Sequence, residues 1–142
     1  MNINKISKQY KCSLLNENYI QDIINLYKSN TLYFTYCPHI INNEYIISEL
    51  NDLPIGIKKE DKYYIGFYDE NKLIGVMDLI DGYPTKDIIY IGLLMLDINI
   101  QGKGIGTMII NDLFDYLKEL NYKEVQLGFV KTNPQASSFW KK

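Results

Sequence analysis

The chain has 142 residues, close to one ordinary domain, with 46% hydrophobic and 23% charged residues. This composition excludes a disordered chain, a collagen-like repeat and a membrane-spanning protein. Because 15 basic residues face 17 acidic ones, we expect no nucleic-acid partner and no membrane partner. We therefore expect one globular domain over residues 1–142. All of the basic residues are lysines, so a phosphate site would have to use backbone amides and lysine charges.

Cysteine and histidine content argues against a metal site. Cys12 and Cys37 do not form a CxxC unit, and His39 is the one histidine, so no zinc quartet is expected. The N-terminal segment lacks the apolar run of about 7–15 residues that marks a secretory signal. We therefore expect a cytoplasmic protein without a bound metal.

The first half of the chain predicts one short strand and two helices. KCSLL, residues 11–15, is strand-like, and a helix follows over 17–29 with Asn16 as its N-cap. A loop rich in aromatic residues spans 30–39. A second helix is predicted over 42–53, where Pro54 ends it.

The second half predicts a hairpin, a central strand, a helix, a strand and a final helix. The hairpin strands are 63–69 and 72–81, joined at Glu70 and Asn71. Residues 87–96 are apolar on both faces, which is typical of a strand covered on both sides. A helix over 104–120, a strand over 122–130 and a helix beginning at Asn133 complete the chain. The order βααβββαβα predicts an α/β (α+β) fold, with a central mixed sheet flanked by helices.

A glycine-rich turn between the central strand and the next helix is the most informative motif. Residues 101–106 have the spacing Q-x-x-G-x-G, which is neither a Walker loop nor G-x-G-x-x-G. Free amides at a helix start bind anions, and Lys103 adds a charge. A turn that merely lets the helix and the strand pack closely is the alternative.

These motifs resemble those of the GNAT superfamily of acetyl-CoA-dependent N-acyltransferases. The turn matches at Gln101, Gly104 and Gly106, and a second motif matches from Asn133 to the Phe139–Trp140 pair. The resemblance covers essentially the whole chain, most strongly from Lys72 onward. Members usually continue into further strands after the last helix, so we expect the C-terminal strands to be missing. An uncovered edge over 122–130 would favour pairing with another chain, such as in a homodimer.

The resemblance implies acetyl-CoA as cosubstrate and a specific set of binding residues. The strand end would offer backbone hydrogen bonds to the pantetheine arm, the turn would hold the pyrophosphate, and an asparagine would meet the arm from the last helix. The implied residues are Leu94, Met95, Leu96, Gln101, Gly102, Lys103, Gly104, Ile105, Gly106, Thr107 and Asn133. On local grounds Asn133 is equally well explained as a helix N-cap.

Two positions depart from the family pattern. Trp140 stands where many members carry a tyrosine that protonates the leaving thiolate, and an indole is no useful acid. Gly128 stands where the ribosomal-protein acetyltransferases carry a glutamate base. We expect Gly128 to open the channel for the thioester.

Another group must then accept the proton of the amine, and Asp78 is our candidate base. Strand alternation predicts that it shares a face with Ile74, Val76 and Ile80, where apolar surroundings would raise its pKa. A hydrogen-bonded aspartate at a strand end is the alternative.

Tyr90 is a second candidate catalytic residue, as a proton relay. Alternation predicts that it lies on the face of Leu94, although core packing would also explain a tyrosine there. The loop over 30–39 would form one wall of the acceptor pocket.

The favoured function is transfer of an acetyl group from acetyl-CoA to a primary amine, by direct attack in a ternary complex. The acceptor would be a small-molecule amine or a peptide amine. A non-catalytic acyl-CoA-binding or sensing domain is the alternative, and a phosphate-binding module unrelated to CoA is a third interpretation. Turnover with a panel of amines separates the first two.

Overall fold

The computed structural model describes residues 1–30 and 41–128, which form five strands and three helices. The strands are β1 (Lys11–Leu14), β2 (Lys62–Asp69), β3 (Lys72–Asp81), β4 (Ile88–Leu96) and β5 (Glu124–Leu127). The helices are α1 (Ile20–Ser29), α2 (Asn43–Asn51) and α3 (Ile105–Glu119). This order, βααβββαβ, agrees with the predicted order as far as residue 128. The predicted final helix and residues 31–39 of the predicted aromatic loop lie outside the described residues.

The five strands form one mixed sheet in the order β1-β2-β3-β4-β5. Strands β1 to β4 are antiparallel to their neighbours, whereas β4 and β5 are parallel. The parallel pair requires a crossover, which α3 supplies. The expected α/β fold with a central mixed sheet is confirmed.

Each face of the sheet carries its own hydrophobic cluster. Ile109 and Leu113 of α3 pack on one face, whereas Tyr27 of α1 and Ile46 of α2 pack on the other. Strand β4 contributes to both clusters, for example through Ile91 and Met95. The prediction that this strand is covered on both sides is therefore correct.

The helix ends differ from the predicted bounds for local reasons. Asn16 caps a 3-10 turn over Glu17–Tyr19, and only after that turn does α1 begin. The side chain of Asn42 accepts a hydrogen bond from the Tyr45 amide and so caps α2. This helix ends at Asn51, before the predicted end, because Asp52 is already extended and residue 53 precedes a proline.

A β-bulge in β3 corrects the predicted face of one residue. The pairing register between β2 and β3 shifts after Phe67. Phe67 pairs with Gly75 and the next residue of β2 pairs with Leu73, so Ile74 has no residue opposite it. Ile74 therefore packs under α3, whereas Val76 packs under α1 and α2. Simple alternation predicts, wrongly, that these two side chains share a face.

Helix α3 buries its apolar side chains most completely in its middle. Ile109, Leu113 and Leu117 are buried, Ile105 is half-buried and Leu120 is 41% exposed, because the helix ends before it. Within the two described ranges, no helix is both long enough and apolar enough to cross a bilayer.

Candidate active site

The parallel pairing of β4 with β5 ends at a second bulge, and the part of β4 beyond it, which has no partner on this side among the described residues, is called the open edge. The last paired residues are Ile91 and Leu127, and the Gly128 amide then donates to the Ile91 carbonyl at 2.8 Å. The register of β4 against β3 shifts at the same level, which leaves Gly92 as the extra residue. Among the described residues, β4 pairs only with β3 beyond this point.

The backbone N–H and C=O groups of successive β4 residues point to opposite edges of the strand. The Asp97 amide donates to the Ile74 carbonyl on β3 at 2.8 Å. The N–H and C=O groups of Leu94 and Leu96 therefore point to the open edge, and those of Met95 point to β3. Among the three strand residues expected to bind the pantetheine arm, Leu94 and Leu96 therefore face the right way. Met95 does not, because its N–H and C=O groups point to β3.

The carbonyl of Leu96 is already used by two side chains. The Gln101 amide nitrogen donates to it at 2.8 Å, and the Asn30 amide nitrogen donates to it at 3.0 Å. Gln101 also donates to the Asn30 side-chain oxygen at 2.6 Å. These contacts tie the start of the glycine-rich turn to the ends of β4 and α1. The Gln101 side-chain oxygen itself is buried and has no hydrogen-bond partner in the described part of the chain.

Asn30 is a residue that sequence reasoning missed. It is 3% exposed, follows the last residue of α1, and also donates to the Leu26 carbonyl at 3.1 Å. An asparagine directly after a helix is typical of a helix C-cap, and that was the available signal. Its partners on β4 and in the turn are distant in sequence, so no local pattern could indicate them.

The turn that precedes α3 is open toward solvent. Gly102 and Gly104 both have a φ of +79°, and a Cβ added to either would meet nothing within 4 Å. Gly104 is the N-cap of α3 and makes no side-chain cap hydrogen bond. The first amides of α3, which have no intrahelical partners, therefore face an open space. This geometry fits a phosphate group, and the exposed Lys103 lies in the same turn.

Asp78 lies on β3 beside the β4 bulge, with its side chain 18% exposed. Burial raises its pKa to about 6, although the neighbouring Lys62 opposes the rise. The Lys62 ammonium contacts Asp78 Oδ2 at 3.2 Å, whereas the buried Oδ1 has no hydrogen-bond partner within residues 1–30 and 41–128. The predicted half-apolar environment is present, with Val76 on the same face and Ile74 on the other.

Tyr90 and Asp78 both lie beside Gly92. A Cβ added to Gly92 would lie 3.5 Å from Tyr90 Cε2 and 3.7 Å from Asp78 Oδ2, so both candidate catalytic side chains border the bulge. The extra residue also changes the faces of β4. Tyr90 therefore lies on the face of Leu93 rather than on that of Leu94, which packs under α3.

Gly128 does not open a channel, contrary to the expectation from sequence. A Cβ at this position would overlap the Tyr90 hydroxyl oxygen and lie 2.7 Å from Tyr90 Cζ. The space in front of Gly128 is therefore filled by the Tyr90 side chain. Asn133 and Trp140 lie outside the described residues.

Comparison with protein-family models identifies one family. The acetyltransferase (GNAT) family model matches residues 21–142, which is most of the chain. A comparison with curated protein sequences returns no significant match.

Solved structures share the fold at low sequence identity. An acetyltransferase from Thermus thermophilus is 15% identical, with a TM-score of 0.79 over 99% of this chain and 86% of that one. An aminoglycoside acetyltransferase from an uncultured soil metagenomic sample, solved with sisomicin, is 23% identical, with a TM-score of 0.59 over 94% of this chain and 86% of that one. The PaiA N-acetyltransferase of Thermoplasma acidophilum, solved with coenzyme A, is 15% identical, with a TM-score of 0.64 over 93% and 86%.

The family match includes the open edge of β4, the glycine-rich turn and the bulge that Asp78 and Tyr90 border. The chain therefore belongs to the GNAT family of acetyltransferases.

Proposed function

We propose that this protein transfers an acetyl group from acetyl-CoA to a primary amine by direct attack, with Asp78 as the group that receives the proton. The observation that carries the proposal is a buried carboxylate on β3, opposite Leu93 of β4, with one oxygen that has no hydrogen-bond partner among the described residues. Acetyl-CoA supplies the acetyl group as a thioester.

The turn and the first turn of α3 would bind the pyrophosphate. Gly102 and Gly104 leave the amides accessible, and Lys103 adds a positive charge near them. The backbone N–H and C=O groups of Leu94 would bind the pantetheine arm at the open edge. Gln101 serves this site indirectly, because its amide nitrogen anchors the turn to β4. Ile105, Gly106 and Thr107 supply helix-start amides, and Asn133 stays a predicted contact.

Asp78 would act at the other end of the site. In the transfer, the nitrogen of the neutral amine forms a bond to the acetyl carbon, the carbon–sulfur bond breaks, and the sulfur leaves as the thiolate of CoA, which takes its proton from solvent while Asp78 later returns the proton of the amine to solvent. The proton lost by the amine goes to the Asp78 carboxylate, directly or through one water molecule. A pKa of about 6 leaves this carboxylate ionised at neutral pH and still basic enough to accept the proton.

A covalent acetyl-enzyme at Cys12 is disfavoured by its surroundings. Cys12 is 3% exposed, and burial raises the pKa of its thiol to about 11, which removes the nucleophilic thiolate. Cys37 lies outside the described residues. Initial rates measured while both substrates are varied should give intersecting lines in double-reciprocal plots. Parallel lines would indicate a covalent intermediate and would contradict direct transfer.

A cationic amine is the acceptor class that we favour. Besides Asp78, the carboxylates of Glu49 and Asp52 act electrostatically on this region, since both raise the pKa of Asp78. One structure with the same fold is an aminoglycoside acetyltransferase solved with sisomicin. Turnover with a panel of aminoglycosides, polyamines, amino acids and peptides tests the acceptor class. An enzyme that binds acetyl-CoA but acetylates no member of the panel would favour the non-catalytic alternative.

Location and assembly complete the proposal. We place the activity in the cytoplasm, because a free buried thiol such as that of Cys12 fits a reducing compartment. We also propose a homodimer formed at β5, which is the edge strand of the described sheet. Sedimentation tests the assembly, and a monomer at micromolar concentration would contradict it.

A further inference from the structure

Lys62, at the start of β2, is a buried lysine to which no role has yet been assigned. Its side chain is 3% exposed, whereas the lysines in the other ion pairs of the described residues are 66–78% exposed. Burying an ammonium group costs several kcal/mol unless its hydrogen bonds are satisfied. A lysine in this position therefore needs partners that hold it there.

Three acceptors surround the Lys62 ammonium, one for each of its N–H groups. It donates to the carbonyls of Glu49 and Asp52, both at 2.7 Å, and to Asp78 Oδ2 at 3.2 Å. The two carbonyls belong to the C-terminal end of α2 and the residue that follows it. Helix C-terminal carbonyls interact favourably with a cation, so the end of α2 is a favourable place for a lysine side chain.

The ammonium also fixes one oxygen of Asp78. Oδ2 is held by Lys62, whereas Oδ1 is buried and has no hydrogen-bond partner among the described residues. We infer that Lys62 is a positioning residue that anchors Asp78 through Oδ2 and links the orientation of this carboxylate to the end of α2. The inference rests on the proposed function, in which Asp78 receives the proton.

Among the described residues that act on Asp78, Lys62 is the only cation. Glu49 and Asp52 at the end of α2 raise the pKa of Asp78, as burial does, and Lys62 on β2 lowers it. The remaining neighbours are phenols. Tyr64, opposite Asp78 on β2, hydrogen-bonds through its hydroxyl to Tyr27, and Tyr90 approaches from β4. Without Lys62, an ionised Asp78 would face two carboxylates and no cation.

The test measures the protonation of Asp78 directly. In protein with ¹³C-labelled aspartate, the Asp78 carboxyl signal is assigned with Asp78→Asn and titrated by NMR. Replacement of Lys62 by Met should move its midpoint at least about 1 unit higher in pH, as expected for loss of an adjacent opposite charge. Lys62→Gln is a second neutral variant that keeps two amide donors for the α2 carbonyls, and it should shift the midpoint in the same direction.

Kinetics then connect the shift to catalysis. The acidic limb of kcat/KM for the amine should move by the same amount in Lys62→Met, while the KM for acetyl-CoA stays unchanged. Lys62→Arg keeps the charge and should leave the midpoint near its parent value. Lys123→Met, which removes an exposed lysine paired with Asp87 at 3.5 Å, is the matched control and should change neither quantity.

The outcomes separate the two proposals. If the Asp78 midpoint is the same in folded Lys62→Gln as in the parent, Lys62 does not position Asp78 and the inference is wrong. If the midpoint shifts but Asp78→Asn retains full turnover, the ion pair exists and the proposed base is wrong. A loss of thermal stability without any shift would restrict Lys62 to closing the end of α2, which also contradicts the inference.

Discussion

The hydroxyl of Tyr90 occupies the space in which a side chain at Gly128 would begin. Where some members of the family carry a carboxylate on the strand corresponding to β5, this chain has a bare backbone and a tyrosine from β4. The pair is self-consistent, since a side chain at 128 would force the Tyr90 ring away from the bulge at Gly92. The space in front of residue 128 is therefore occupied by the Tyr90 side chain.

This relationship predicts that Gly128→Ala destabilises the fold. The added methyl group overlaps Tyr90, and overpacking of this kind costs about 1–3 kcal/mol. Equilibrium unfolding in urea measures the loss. The same substitution in a Tyr90→Ala background should cost much less, because the obstructing ring is gone. Gly92→Ala is the control, since its Cβ would make only ordinary contacts of 3.5 Å and more. Additive losses in the double variant would contradict the close contact.

The glycine-rich turn predicts a specific loss of CoA affinity in Gly104→Val. A β-branched residue strongly disfavours the φ of +79° found there, so the turn must rearrange and its amides move. We expect CoA affinity to fall at least about tenfold by calorimetry.

Gly56→Val is the matched control for this variant. Gly56 has a φ of +86° and open space around it, but it lies in the segment after α2, remote from the turn. Its replacement should cost a comparable amount of stability and leave CoA affinity unchanged. Equal affinity in Gly104→Val and the parent would exclude the turn as the phosphate site.

Removal of the Asp78 carboxylate predicts a large kinetic effect. Asp78→Asn should lower turnover by about 10²–10⁴-fold, the usual contribution of a general base, while acetyl-CoA binding stays nearly intact. The parent should lose activity as pH falls through about 6, where Asp78 becomes protonated, and the variant should lack this limb. Asp69→Asn, at the exposed end of β2, is the control. Wild-type turnover in Asp78→Asn between pH 6 and 9 would make Asp78 structural.

The same carboxyl predicts the sign of a pH effect on stability. Its pKa rises from 3.8 to about 6 on folding, so the folded protein binds the proton more tightly than the unfolded chain. The contribution of Asp78 is therefore complete below pH 4 and is lost as pH rises through 6. The free energy of unfolding of the parent, minus that of Asp78→Asn, should be larger at pH 4 than at pH 7. The opposite sign would show that Lys62 outweighs burial.

Asn30→Ala should disturb the turn from a distance. The substitution removes a buried side chain that donates to Leu26 and Leu96 and accepts from Gln101, so we expect a loss of about 1–3 kcal/mol and weaker CoA binding. Asn51→Ala is the matched control, because Asn51 makes the same type of bond to Ile47, at the exposed end of α2. Unchanged CoA affinity in Asn30→Ala would mean that the turn holds its shape without this anchor.

Sequence patterns predicted the element order because each element has a local signal. Asn16 and Asn42 are caps, Pro54 ends a helix and the apolar period separates strands from helices. The two bulges could not be predicted in this way. Each adds one residue and exchanges the two faces of the strand beyond it, which moved Ile74 and Tyr90 from their predicted sides. Gly75 and Gly92 at these places are weak signals, because a glycine inside a strand is also compatible with regular pairing. Lys62 was missed for a related reason, since its three partners meet it only after α2 folds onto the sheet.

The anchor at Leu96 has a consequence for the thermodynamics of cosubstrate binding. Gln101 directly precedes the turn that contains Gly102 and Gly104, and these glycines would otherwise give the turn a large conformational freedom. The Gln101 side chain is held to β4 before any ligand binds. Part of the conformational entropy of the phosphate site is therefore lost during folding rather than when the ligand binds. Coenzyme A should therefore bind with a smaller entropic penalty to the parent than to a variant in which Gln101 is shortened to alanine.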